Sequence, residues 1–184
     1  HIVEQHVHNL DVGNWIMGAH PVRAYGQGGR QGLGSDVSGE KWDHFAVEYE
    51  YPNGVHMFSQ CRQISGTQGN VSEFVVGTEG TSDPSGWIQP AGGSRWRSRG
   101  GLNPYVQEHM DLIHAIRSGD RINEAKNVAE STMTAIMGRE SAYSGQAVTW
   151  DEAMAWKTSL VPENLAWGPA PEPKIPIPGQ HKMV

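Results

Sequence analysis

Cysteine is almost missing from this chain: among 184 residues the only one is Cys61. That excludes an internal disulfide and any cysteine-built zinc cluster, and it is compatible with a reducing compartment. Positive charge is short as well. The 14 Lys and Arg stand against 20 Asp and Glu, a formal net charge of -6, which suits poorly a surface that must displace counterions from phosphates; nucleic acid is not the expected partner. No apolar run approaches the roughly 18 to 20 residues a membrane-crossing helix needs, so no membrane partner is expected either. An initiator Met, a signal-peptide apolar region and a helix cap are all missing ahead of His1-Ile2-Val3-Glu4-Gln5-His6. The chain thus opens inside a pattern, and we expect it to be part of a longer protein.

What is present can bury a core: 37% of residues are hydrophobic and 18% charged, which predicts one domain over residues 1–160. Six prolines in the last 24 residues predict an extended arm over 161–184, wrapped on a surface or a partner. Apolar residues at Val3, Val7, Leu10, Trp15 and Ile16 have helical spacing and predict a helix over 1–17, stopped by Gly18 and Pro21. Val22 to Tyr25 reads as a short strand, followed by a loop over Gly26–Gly34 too rich in glycine for a regular element. The clearest signal is a hairpin, residues 44–51 and 55–62 around Pro52-Asn53-Gly54, with Phe45, Val47, Tyr49 and Tyr51 alternating on one face. Val71 to Val76 reads as a strand ending in the Gly77–Gly80 turn, and Trp87-Ile88 can pair with residues 95–97. The sheet is therefore of antiparallel character. Asn103-Pro104 predicts a helix to Ser118-Gly119, Asn123 a second to about Tyr143, and Asp151, after a short extended Val148–Trp150, a last one to about Lys157.

Glu4, His8 and Asp11 stand at i, i+4 and i+7, so on a helix they fall within an arc of roughly 60°. A stripe of carboxylate, imidazole and carboxylate can take a proton from a hydroxyl as hydride leaves the same carbon. The same stripe is also what an ordinary solvated helix face looks like. His6 and His8 make an HxH pair that would share one face of a strand and could hold a metal. On a helix they diverge by about 200°, and His6 is then expected as a hydrogen-bonded residue between elements, with no metal site. In the glycine loop a dinucleotide fingerprint starting at Gly26 would need glycine where Gln31 stands. The loop's other use would be to present Arg30 and Gln31 to an oxygen-rich substrate.

The stretch Glu4-Gln5-His6-Val7-His8-Asn9-Leu10-Asp11, with Trp15 and Gly18-Ala19-His20-Pro21, resembles the helix that opens the carboxy-terminal domain of the glucose-fructose oxidoreductase, inositol dehydrogenase and rhizopine-catabolism (GFO/IDH/MocA) family. Residues 43–49, 76–81, 115–119 and 138–145 look like that family's successive landmarks, so the resemblance spans about residues 1–160. It implies an α+β fold, an open and mainly antiparallel β-sheet with helices packed on one face. It also implies a separate amino-terminal Rossmann domain carrying NAD or NADP and usually a catalytic lysine, so this chain by itself is expected to bind no cofactor and to be inactive. The resemblance assigns His8 as proton acceptor or donor, Glu4 as its carboxylate partner and Asp11 as a substrate or positioning residue. Glu4 departs from the aspartate common in the family. The implied activity is oxidation of a sugar or polyol hydroxyl. Two alternatives stay open, a nicotinamide-dependent glycosidase on the same scaffold and a non-catalytic binding or oligomerisation module. A homo-oligomer is expected through the sheet face of residues 44–62, where Phe45, Val47, Tyr49, Tyr51, Val55, Met57 and Cys61 supply apolar surface.

Overall fold

The computed structural model describes all residues except 35–37, 158, 162–165, 169–171, 173 and 184. The chain forms two compact units, one made of His1–Gln68 with Asn127–Val184 and the other of Gly69–Lys126. The predicted arm over 161–184 is described only in part, several of its prolines falling outside the described residues.

In the first unit a four-stranded antiparallel sheet runs in the order β3-β2-β1-β8, with β1 Arg23–Gly29, β2 His44–Glu50, β3 His56–Arg62 and β8 Val148–Thr149. The predicted hairpin is there, Phe45 facing Cys61, Val47 facing Ser59 and Tyr49 facing Met57. Alternation places Phe45, Val47, Tyr49 and then Tyr51 on the buried face. The helices α1 (Val7–Met17) and α3 (Ala125–Ser144) meet there: Tyr51 donates to Asn14 Oδ1 at 2.8 Å, and Asn14 Nδ2 donates to Thr134 Oγ1 at 3.0 Å. The apolar set invoked for an oligomer is therefore largely core, with Met57 and Cys61 half-buried against it. The open face carries Arg23, Tyr25, Glu48, Glu50 and His56 instead, lining a shallow depression.

The strand β1 corrects the sequence reading, which ended the strand at Tyr25 and put Gly26, Gly28 and Gly29 in a loop. Gly26 is glycine because α3 lies against the strand there at backbone distance, and Gly28 and Gly29 because a Cβ would meet His44 of β2. A Cβ on Gly26 would come within 2.8 Å of the Gly138 carbonyl oxygen and 3.1 Å of the Ala142 nitrogen. The Gly26 N–H instead donates to Ser141 Oγ at 2.8 Å. Small residues on α3, among them Ser131, Thr134, Ala135, Gly138 and Ser141, permit that approach.

The helix α4 (Trp150–Ala155) is capped by Thr149, not by Asp151 as the sequence suggested. Thr149 ends β8 in extended conformation, and Glu152 sits three residues on, so the two close a reciprocal capping box. Further along, the Gly179 N–H donates to the Ser144 carbonyl at 2.8 Å, and His181 Nε2 meets Glu140 Oε2 at 2.8 Å. These contacts fasten the last described residues to the end of α3.

In the second unit β4 (Val75–Gly77), β5 (Gly80–Asp83), β6 (Trp87–Pro90) and β7 (Trp96–Arg97) form a separate antiparallel sheet in chain order. The strand expected from Val71 begins only at Val75; ahead of it Ser72 Oγ donates to Asn70 Oδ1 at 3.0 Å. Gly80–Asp83, weak in strand formers, gave no signal of its own. The helix α2 (Pro104–Ser118) has the predicted cap, Asn103 Oδ1 accepting from the Tyr105 N–H at 2.9 Å, and stops at Gly119 with φ of 82°. Asn123 Oδ1 likewise accepts from the Ala125 N–H at 3.1 Å, at the start of α3.

Gly138 yields a test. In an exposed helix Gly→Ala stabilises by about 0.5 to 1 kcal/mol, but here the new methyl would overlap the buried Tyr49 hydroxyl and lie 3.0 Å from its Cζ. Gly138→Ala is expected to destabilise by about 1 to 3 kcal/mol. Among the described residues the Tyr49 hydroxyl has no hydrogen-bond partner, so Tyr49→Phe should cost little alone and should recover much of the loss in the double variant. Urea denaturation of the four proteins checks this, and additive losses would contradict it.

Candidate functional site

The amino-terminal segment does not enter α1 directly. The His1 carbonyl accepts from the N–H groups of Gln5 and His6, at 3.0 and 3.3 Å, and Ile2 is buried, so residues 2–6 turn before the helix starts at Val7. This corrects the predicted helix over 1–17, which starts only at Val7. Glu4 consequently lies in the turn, exposed, with Lys41 Nζ 3.7 Å from Oε2. His8 sits in the first turn of α1, exposed, and among the described residues no hydrogen bond or ion pair holds its imidazole. Asp11, a turn further, accepts from Ser131 Oγ at 2.5 Å through Oδ1. Each carboxylate flanking His8 thus has its own anchor on another part of the unit.

His6 points elsewhere. Its Nε2 lies 2.7 Å from Ser59 Oγ on the buried face of β3. Burial pushes its pKa below the ordinary 6.5, with a hydrogen bond to Asn9 acting the other way. His6 and His8 therefore have different surroundings, the one at Ser59 and the other exposed, and among the described residues no three His, Cys, Asp or Glu side chains gather as a metal-binding group. Cys61 is half-buried and burial pushes its thiol up to about 11, which leaves no reactive thiolate near neutrality.

The loop after β1 is organised from within. Arg30 Nε donates to the Leu33 carbonyl at 3.2 Å and Nη1 to the Lys41 carbonyl at 3.1 Å, with further donation to the Gly34 and Gly39 carbonyls. Sequence reasoning offered Arg30 to a substrate; the structure spends the guanidinium on the loop. Gln31 remains exposed, and its N–H donates to Asp43.

Asp43 and His44 escaped the sequence reading as site residues, though they were seen as the start of a strand. The Asp43 carboxyl is fully buried: Oδ2 accepts from the Gln31 and Gly32 N–H groups at 2.8 and 2.6 Å, and Oδ1 lies 2.7 Å from His44 Nδ1. Desolvation raises this carboxyl's pKa, but the Gly32 N–H, the His44 ring and the Gln31 N–H outweigh it and hold the group below the usual carboxylate range. The signal available in the sequence was an acid directly before a strand and after a glycine-rich loop.

The glycines of this region do not fit a dinucleotide. Gly26, Gly28 and Gly29 lie within a paired strand, and a Cβ on each would meet α3 or His44, whereas a pyrophosphate cradle needs a strand-to-helix turn with free N–H groups.

This geometry gives the first unit an imidazole at the start of a helix packed beneath an open antiparallel sheet, in a chain of α+β fold. No family model matches the sequence, and no curated protein matches it at a significant level. Solved structures share the fold. An aldose-aldose oxidoreductase from Caulobacter crescentus, solved with glycerol, is 17% identical with a TM-score of 0.62 over 78% of this chain and 45% of its own. A scyllo-inositol dehydrogenase from Lactobacillus casei, with bound NAD(H) and scyllo-inositol, is 13% identical with a TM-score of 0.59 over 78% of this chain and 46% of its own. An oxidoreductase from Thermotoga maritima is 15% identical with a TM-score of 0.61 over 80% and 43%. The chain spans less than half the length of each, and its fold is that of one domain of such oxidoreductases, the class that the sequence motifs resemble.

His6 sets a pH dependence. Its folded pKa lies below the ordinary 6.5, so its contribution to stability is complete above that value and is lost as pH falls through the lower folded pKa. The thermal midpoint of the wild type is expected to fall between about pH 7 and pH 5, a range above most carboxylate titrations. His6→Asn should flatten that fall. An unchanged slope in circular-dichroism melts would show that His6 does not carry it.

Proposed function

We propose that this chain is the substrate-side domain, residues 1–160 with an arm over 161–184, of a nicotinamide-dependent oxidoreductase that oxidises a sugar or polyol hydroxyl. His8 accepts the hydroxyl proton, and returns it in the reverse direction. The observation that carries this reading is His8 itself, an exposed imidazole in the first turn of α1, flanked along the chain by Glu4 and Asp11, which are anchored at Lys41 and Ser131.

The chemistry follows from what these groups can do. An imidazole can take the proton of a hydroxyl as hydride leaves the same carbon, and negative charge nearby stabilises the imidazolium that forms. Glu4 supplies that charge, and Asp11, held by Ser131, positions a neighbouring hydroxyl. Gln31, exposed on the glycine loop, offers a further amide to an oxygen-rich substrate. The hydride acceptor belongs to the rest of the protein, since the glycines here do not fit a dinucleotide. The NAD(H) bound in the Lactobacillus casei relative supports NAD as that acceptor.

The test uses the full-length protein and the reduced-nicotinamide absorbance with a panel of glucose, glycerol and inositols. Turnover of at least one is expected. His8→Asn should lower it by about 100- to 10,000-fold, the usual contribution of general acid-base catalysis, while leaving NAD affinity and folding unchanged. Glu4→Gln should act in the same direction but less strongly, and His6→Asn should keep most activity. Activity lost in folded His6→Asn and kept in His8→Asn would overturn the assignment.

A further inference from the structure

We propose that a buried hydrogen-bond chain from Tyr51 through Asn14 to Ser131 is the positioning element of the candidate site: it turns the Ser131 hydroxyl onto Asp11 Oδ1 and so holds the other carboxylate oxygen, Oδ2, for a hydroxyl of the ligand. This deepens the proposed function and rests on it for the ligand class and for Asp11 as a ligand contact. Reach is set by the helix. Asp11 follows His8 by three residues on α1, so their Cβ atoms stand roughly 5 to 6 Å apart, and both residues are exposed. A polyol with one hydroxyl at His8 can bring a neighbouring one to Asp11.

The direction of the chain follows from where each proton goes. Thr134 gives its only hydroxyl proton to the Glu130 carbonyl, at 2.9 Å, so toward Asn14 it can only accept. The Asn14 atom 3.0 Å from it is therefore the amide nitrogen, which leaves Oδ1 to face the Tyr51 hydroxyl at 2.8 Å. Tyr51 donates there: burial pushes its pKa up and keeps the proton on, and the amide oxygen is a stronger acceptor than the Met57 sulfur, 3.9 Å away. Asn14 Nδ2 also donates to Ser131 Oγ, at 3.4 Å. Ser131 thus accepts on that side, and its own proton goes to Asp11, at 2.5 Å. Asn14 and Ser131 are buried, whereas Asp11 is exposed, and among the described residues no bond holds its Oδ2. A tie between α1 and α3 is already made by the bond from Asn14 to Thr134. The bond from Ser131 acts on a carboxylate at the surface, and what it fixes is the direction of that carboxylate.

The experiment uses the full-length protein with glucose, glycerol and scyllo-inositol as probes, and the variants Ser131→Thr and Ser131→Val, which match each other in shape and differ in the hydroxyl. Ser131→Val should raise KM about 3- to 10-fold with kcat within about twofold, the size of one hydrogen bond, and Ser131→Thr should keep KM near that of the wild type. A serine that only packs would move both alike. Asp11→Asn should raise KM by itself, and adding Ser131→Val to it should change KM no further. Tyr51→Phe removes the far donor without touching the ligand and should raise KM about 2- to 3-fold. If Ser131→Val or Tyr51→Phe does not fold, Ser131→Ala in the same cycle with Asp11→Asn decides. Turnover with KM unmoved in folded Ser131→Val, Tyr51→Phe or Asp11→Asn overturns the chain and leaves the oxidoreductase reading standing. Equal KM in Ser131→Thr and Ser131→Val, or effects of Ser131→Val and Asp11→Asn that multiply, have the same meaning. If a probe binds without turnover, the oxidoreductase reading fails and the same changes, read in Kd by calorimetry, support or overturn the chain. No binding of any probe overturns both.

Discussion

Gly26 and Ser141 meet where a strand and a helix touch almost backbone to backbone, the N–H of one donating to the hydroxyl of the other. Such an approach leaves no volume for side chains, so it needs glycine on β1 and small residues on α3, and the chain has both. Much of the first unit depends on it. With α3 drawn close, Ser131 and Thr134 come within reach of α1, where Asn14 and Asp11 bind them. The orientation of α1, and with it the side on which His8 emerges, is fixed by these few polar contacts in addition to apolar burial.

A second constraint governs the loop beyond β1. Its enclosed anion and its guanidinium act on opposite backbone groups: Asp43 takes N–H groups, Arg30 takes carbonyls. A segment rich in glycine would otherwise sample many conformations. Here its conformational entropy is opposed by charge-assisted hydrogen bonds, which are stronger than neutral ones. The exposed Gln31 and His44 are thereby presented on a defined surface.

Much of this was legible in the sequence. The hairpin of residues 44–62 could be read because alternation and an Asn-Gly turn are local signals, and the Asn103 and Asn123 caps likewise involve residues two positions apart. The motifs around Glu4, His8 and Asp11 pointed to a fold that the solved oxidoreductases share. What failed was of another kind. Gly26, Gly28 and Gly29 read as a loop because glycine is a poor strand former alone, and the reasons for them, a helix more than a hundred residues later at Gly26 and the partner strand at Gly28 and Gly29, are invisible to a local window. Arg30 was offered to a substrate because sequence carries no information on four carbonyls arriving from around a loop. Asp43 looked like a strand boundary, since nothing local says that a carboxylate will be enclosed.

The pairing of β1 has a consequence in time. One edge of β1 is covered by β2 almost at once, but the other waits for β8, with Arg23 opposite Thr149. At about 5 to 20 residues per second, the interval between synthesis of these partners is roughly 6 to 25 s. During it β1 is the edge strand of a growing chain, with unpaired N–H and carbonyl groups of the sort that recruit other chains. Its glycines, and the charged Arg23 at its start, make that edge a poor template for stray pairing, so the residues that later admit α3 also guard the nascent chain.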